Sequence, residues 1–67
     1  MKAWWPELLG APATPAAMRI SKDRPDVAVE VLQPGSPFDP RFNPKRVRVF
    51  YNPRDSAGLV AKVPVVG

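Results

Sequence analysis

The chain has 67 residues, a net charge of +4 at pH 7, no cysteine and no histidine. A domain this small buries only about 60% of the surface its unfolded chain exposes, and no disulfide or thiolate metal site is possible to reinforce it. Without histidine the usual general base, the commonest metal ligand and any Ser-His pair are missing, so an enzyme is not expected and Ser21, Ser36 and Ser56 read as turn and surface residues.

The N-terminal MKAWWPELLG has no long apolar run, and so reads as neither a signal peptide nor a membrane span. Its Trp4, Trp5, Leu8 and Leu9 are expected to pack on the core as a tail, interrupted by Gly10 and Pro12. Ala13, Ala16, Ala17 and Ile20 follow the i, i+3, i+4, i+7 spacing of one helical face, which predicts a short helix from Pro15 to Asp23. Thr14 suits its cap and Pro15 its first position, and Pro25 forces its end by pushing Arg24 out of the α region. Asp23 and Asp26, on either side of Pro25, read as a solvated turn.

Val27 to Leu32 alternates, with Val27, Val29 and Val31 on one face and Ala28, Glu30 and Leu32 on the other, as in a half-buried strand. Arg46 to Tyr51 does the same, setting Val47, Val49 and Tyr51 opposite Arg46, Arg48 and Phe50. The turn-forming NPRDSAG segment, Asn52 to Gly58, then leads to a last strand over Leu59 to Val66, which Pro64 interrupts. The positive charge clusters only at Lys45, Arg46 and Arg48, with no interleaved aromatic platform. A nucleic-acid partner is therefore not expected, and neither is a membrane, a metal or a cofactor.

The connection from residue 33 to 45 is long for a compact domain and carries Pro34, Pro37, Pro40 and Pro44. Each proline fixes its own φ and restricts its predecessor, so the loop is stiff and loses little entropy on binding. The two PxxP matches, Pro12 to Pro15 and Pro37 to Pro40, read as loop stiffening. Arg46 and Arg48, two apart on one strand face, suit guanidinium supports beneath the loop with the Asp39 carboxylate as their acceptor. The pattern leaves a second reading open, in which they are the solvated face of a strand.

WPELLG at Trp5 to Gly10, DRPD with VEVL in Asp23 to Leu32, Gly35, FNPKRVRVFYN at Phe42 to Asn52 and VPVVG at the C-terminus together resemble the potato inhibitor I family of serine-protease inhibitors. The resemblance implies an α+β fold over residues 1–67, a single helix packed on a small mixed β-sheet with a long exposed binding loop. It also implies a monomer that enters subtilisin- or chymotrypsin-like proteases as a very slowly cut substrate. By spacing from Gly35 and Arg46, the resemblance places the reactive bond between Pro40 and Arg41. Pro37, Phe38 and Asp39 precede it, Phe42 and Asn43 follow it, and Arg46 and Arg48 support it.

The chain departs from the family at the centre of this loop. Relatives usually carry Leu or Met where it has Pro40, and an acidic residue where it has Arg41; Asp39 stands for the usual Thr or Pro. Pro40 has no N–H to give a protease, and Arg41 adds a third positive charge beside Arg46 and Arg48, which implies weakened or retargeted inhibition. Two alternatives follow: a trypsin-type inhibitor with Arg41 as primary residue, or an inhibitor fold that has lost its activity and serves as a cationic interaction or defence module. Asn52 to Gly58 is also longer than in the relatives, and Arg19 replaces a usual apolar residue of the helix.

Overall fold

Alanine spacing sets the helix. In a computed structural model that describes residues 2–67, helix α1 runs over Ala13–Asp23 and buries Ala13, Ala16 and Ile20 along one face, with Ala17 half-buried at its margin. It begins two residues before the expected Pro15, and Thr14 does not cap it; Pro12 takes the cap position with no side-chain hydrogen bond. The cause is a long-range contact. The Ala13 N–H donates to the Gly58 carbonyl at 3.0 Å, and Pro15, now the third helical residue, removes one of the N–H groups that a first turn leaves orphaned. At the other end Arg24 adopts φ −135° before Pro25, and the helix stops where the proline requires.

Strands β1 (Ala28–Leu32) and β2 (Arg46–Phe50) pair in parallel, with Ala28 opposite Arg46 and Leu32 opposite Phe50. Strand β3 (Val65–Val66) pairs antiparallel with the far edge of β2, giving a three-stranded mixed sheet in the order β1-β2-β3. Val27 falls just outside β1, and Tyr51 leaves β2 to make a single bridge with Val60. The continuous strand expected over Leu59 to Val66 is broken, because the N-terminal segment takes its backbone partners. Trp5 N–H donates to the carbonyl of buried Pro64 at 2.9 Å, Gly10 N–H donates to Val60 at 2.9 Å, and Val60 N–H donates to Ala11 at 2.8 Å.

The sheet separates its two faces as the alternation requires. Val47 and Val49 are fully buried beneath α1 with Trp5, Ile20, Val27 and Val60, whereas Arg46, Arg48 and Phe50 lie on the opposite face. The apolar N-terminal tail divides: Trp5 is fully buried, but Trp4 and Leu9 stay exposed and Leu8 is half-buried. Trp5 Nε1–H donates to Asp23 Oδ2 at 3.0 Å, so its one polar atom is satisfied inside the core. Arg19 points outward and pairs with Asp23 at 3.5 Å, four residues on, which leaves the helix packing undisturbed.

Asp23 and Asp26 are anchors and not a solvated turn. Arg24 grips the Asp26 carboxylate with two hydrogen bonds of 2.8 Å and gives a third, of 2.7 Å, to the Lys2 carbonyl. Lys45 Nζ reaches the same Asp26 carboxylate at 2.9 Å, tying the helix exit to the base of the 33–45 loop. The Arg24 guanidinium, with Lys45 second, holds the Asp26 carboxyl well below the usual carboxylate range. The Trp5 N–H does the same for Asp23, helped by the charges of Arg19 and Lys2.

Candidate functional site

The loop between β1 and β2 leaves the sheet through a turn in which Ser36 N–H donates to Gln33 at 3.1 Å. Gly35 in this turn has φ +83°, a left-handed conformation that a side chain would strain. It returns through a second turn, where Lys45 N–H donates to the Asn43 side chain at 2.9 Å. Between these turns every residue from Pro37 to Asn43 is exposed. The expected binding segment therefore forms one continuous exposed run.

Arg46 and Arg48 lie beneath it, with side chains only 11% and 14% exposed, so they are not a solvated face. Arg46 Nη2 donates to the Arg41 carbonyl and to the Gly67 carbonyl at 2.8 Å, with a longer contact of 3.4 Å to the Asp39 carbonyl. Arg48 Nη2 donates to the Asp39 carbonyl. The two guanidiniums thus grip main-chain oxygens on both sides of Pro40. The Pro40 carbonyl itself accepts no hydrogen bond among the described residues.

The role expected of the Asp39 carboxylate is corrected by this geometry. It does not receive Arg46 or Arg48; it turns along the loop and clasps Arg41. Arg41 Nε donates to Oδ1 at 3.0 Å and Nη2 to Oδ2 at 2.8 Å, while the Arg41 backbone N–H also donates to Oδ1 at 3.0 Å. A carboxylate two residues from a guanidinium and on the same exposed surface is the nearer acceptor, and the supports are already satisfied by carbonyls. Arg41 is consequently a paired charge, although its side chain is 86% exposed. The Arg41 side chain and then its N–H hold the Asp39 carboxyl down to about 2, with the charges of Arg46 and Arg48 adding to the effect.

Three contributors were not legible as such in the sequence. Glu30 stands opposite Arg48 in the parallel register, and its Oε1 lies 3.7 Å from Arg46 Nε and 3.6 Å from Arg48 Nε. Both Nε atoms are buried and have no hydrogen-bond partner among the described residues, so Glu30 supplies the negative potential that offsets two adjacent cations. Gly67 bridges the two sides of the loop base, accepting from Arg46 and from the Asn43 N–H at 3.0 Å while donating to the Arg46 carbonyl at 2.8 Å. Phe38 packs edge-on against Phe50 with ring centres 5.8 Å apart, and the Arg48 guanidinium sits 4.4 Å from the Phe38 ring centre. Phe38 therefore belongs partly to the support, whereas Phe42 is 73% exposed.

The result is a stiff, exposed loop fixed through its carbonyls from beneath. The profile of the potato inhibitor I family matches residues 1–67. The chain belongs to the potato inhibitor I family. The chain is 37% identical over its whole length to a chymotrypsin inhibitor of Lumbricus terrestris, covering 74% of that protein. It is 35% identical over 98% of its length to subtilisin inhibitor 1 of Phaseolus angularis, covering 68% of that one. In three dimensions it is similar to the bitter gourd trypsin inhibitor, with a TM-score of 0.89, 33% identity and coverage of 98% of this chain and 93% of the other. The family fold, one helix on a small mixed sheet, is the architecture described above.

Proposed function

We infer that this potato inhibitor I domain inhibits serine proteases by presenting the 37–43 loop as a substrate that is cut very slowly, with Pro40–Arg41 as its reactive bond. The observation that carries this reading is the bracketing of Pro40. A scissile carbonyl must be free to accept the protease's oxyanion donors. Pro40 offers such a carbonyl, between two neighbours whose carbonyls are turned inward onto Arg46 and Arg48. The trypsin-type register, with Arg41 as primary residue, requires the Arg41 carbonyl to abandon Arg46, and the geometry does not favour it. Pro37, Phe38 and Asp39 precede the bond on the enzyme-facing run, and Phe42 and Asn43 follow it.

Held at both ends, the loop pays little ordering entropy on binding, and after cleavage the two new ends stay fixed near each other. Pro40 supplies no N–H, so a cleft that pairs with the main chain of its substrate loses one hydrogen bond of about 1–3 kcal/mol. Subtilisin- and chymotrypsin-type enzymes, which the named relatives inhibit, are then bound more weakly by this chain. The test is the double substitution Pro40→Leu with Arg41→Asp, expected to strengthen inhibition of subtilisin by well over tenfold. Unchanged inhibition would overturn both the register and the account of its weakness.

A further inference from the structure

We propose that the partner this loop fits is a serine endopeptidase that cleaves after proline and accepts folded protein loops. The inference rests on the reading of Pro40 as the primary residue and asks what kind of cleft that residue selects. Its ring is compact and exposed, its φ is fixed before binding, and it has no side-chain rotamer to immobilise. A primary pocket shaped for a long apolar side chain is left part-empty by it, and a cleft that expects an N–H from the primary residue is left with an unpaired carbonyl. That second loss alone weakens binding about ten- to hundredfold. A pocket built around a pyrrolidine ring incurs neither loss, because its own substrates supply no N–H at that position.

The flanking residues leave Pro40 as the dominant recognition element. Phe38 is engaged with Phe50 and Arg48, and the Asp39 carboxylate and Arg41 guanidinium neutralise each other in the clasp. Neither charge is therefore offered to the enzyme unpaired. The exposed pyrrolidine ring, its free carbonyl, and Phe42 beyond the bond are what a cleft meets first.

The wild-type protein and its Pro40→Leu variant are titrated against a post-proline-cleaving serine endopeptidase that digests intact proteins, and in parallel against subtilisin. The expected result is competitive inhibition of the post-proline enzyme by the wild type, at least tenfold stronger than its inhibition of subtilisin, with the preference reversed in Pro40→Leu. If Pro40→Leu gains on subtilisin while the wild type leaves the post-proline enzyme uninhibited or is digested by it as an ordinary substrate, the target class is overturned and the loop reading survives. If neither protein inhibits either enzyme while both remain folded by circular dichroism, the loop reading itself falls, and the target class with it.

Discussion

Arg46→Ala removes the support on which the loop depends most. One nitrogen, Nη2, faces three carbonyls, and its two protons serve Arg41 and Gly67 while the 3.4 Å contact to Asp39 is the weak remainder. Hydrogen bonds from a charged donor contribute about 1.5–3 kcal/mol each, so the two good ones sum to about 3–6 kcal/mol. Once Arg46 is gone, water reaches the freed carbonyls at this exposed loop and restores part of that, leaving a net loss of about 2–4 kcal/mol. In inhibition this corresponds to a constant weakened by about thirty- to a thousandfold. Arg48→Ala removes one carbonyl bond and the contact with the Phe38 ring, for a smaller loss of about 1–3 kcal/mol. Inhibition constants for both variants against whichever protease the wild type inhibits best, with melting curves to exclude global unfolding, test the ranking. An Arg48→Ala variant that is weaker than Arg46→Ala, or an Arg46→Ala variant within twofold of wild type, would show that Arg46 is not the main support of the loop.

Glu30→Gln, which leaves Arg46 and Arg48 without the carboxylate between them, is expected to weaken inhibition by about fivefold, an effect that shrinks in high salt because Glu30 is partly exposed. The Asp39–Arg41 clasp is expected to persist at neutral pH and to open only in strong acid. Because the folded carboxyl lies below its unfolded value, near 3.9, the contribution is fully present above that value and is lost as pH falls through about 2. The Arg41 amide resonance, followed by NMR against pH, reports it; a midpoint near 4 would show that the clasp is absent. Ile20→Ala, in the core on the sheet face opposite Arg46 and Arg48, is expected to cost about 2–5 kcal/mol and to lower Tm by at least about 8 °C. Its inhibition constant, measured well below that Tm, is expected to stay within about twofold of wild type, whereas a large rise would tie the loop to the core more tightly than described.

Periodicity and proline punctuation carried the local structure. The stripe through Ala13, Ala16 and Ile20 marked the helix, and the alternation in RVRVF placed Val47 and Val49 inside and the two arginines outside. What local pattern could not supply was decided by distant partners. The helix starts at Ala13 because Gly58, forty-five positions along, accepts its N–H, and the last strand breaks because Trp5 and Gly10 claim the carbonyls of Pro64 and Val60. Within the site, the spacing of Arg46 and Arg48 left open whether they lie under the loop or face solvent, and it showed neither that they hold carbonyls nor that Asp39 prefers Arg41. Glu30 becomes meaningful only through the parallel register that sets it opposite Arg48.

The proposed reactive bond, Pro40–Arg41, is held in register by the supports around it. It is tested most directly by incubating the protein with a catalytic amount of the protease it inhibits best and identifying the new termini by mass spectrometry over time. A single cut between Pro40 and Arg41 is expected, with intact and cut forms reaching the same fixed ratio whichever is the starting material. A first cut at another bond, such as Arg41–Phe42, or cleavage that runs on to fragments, would contradict it.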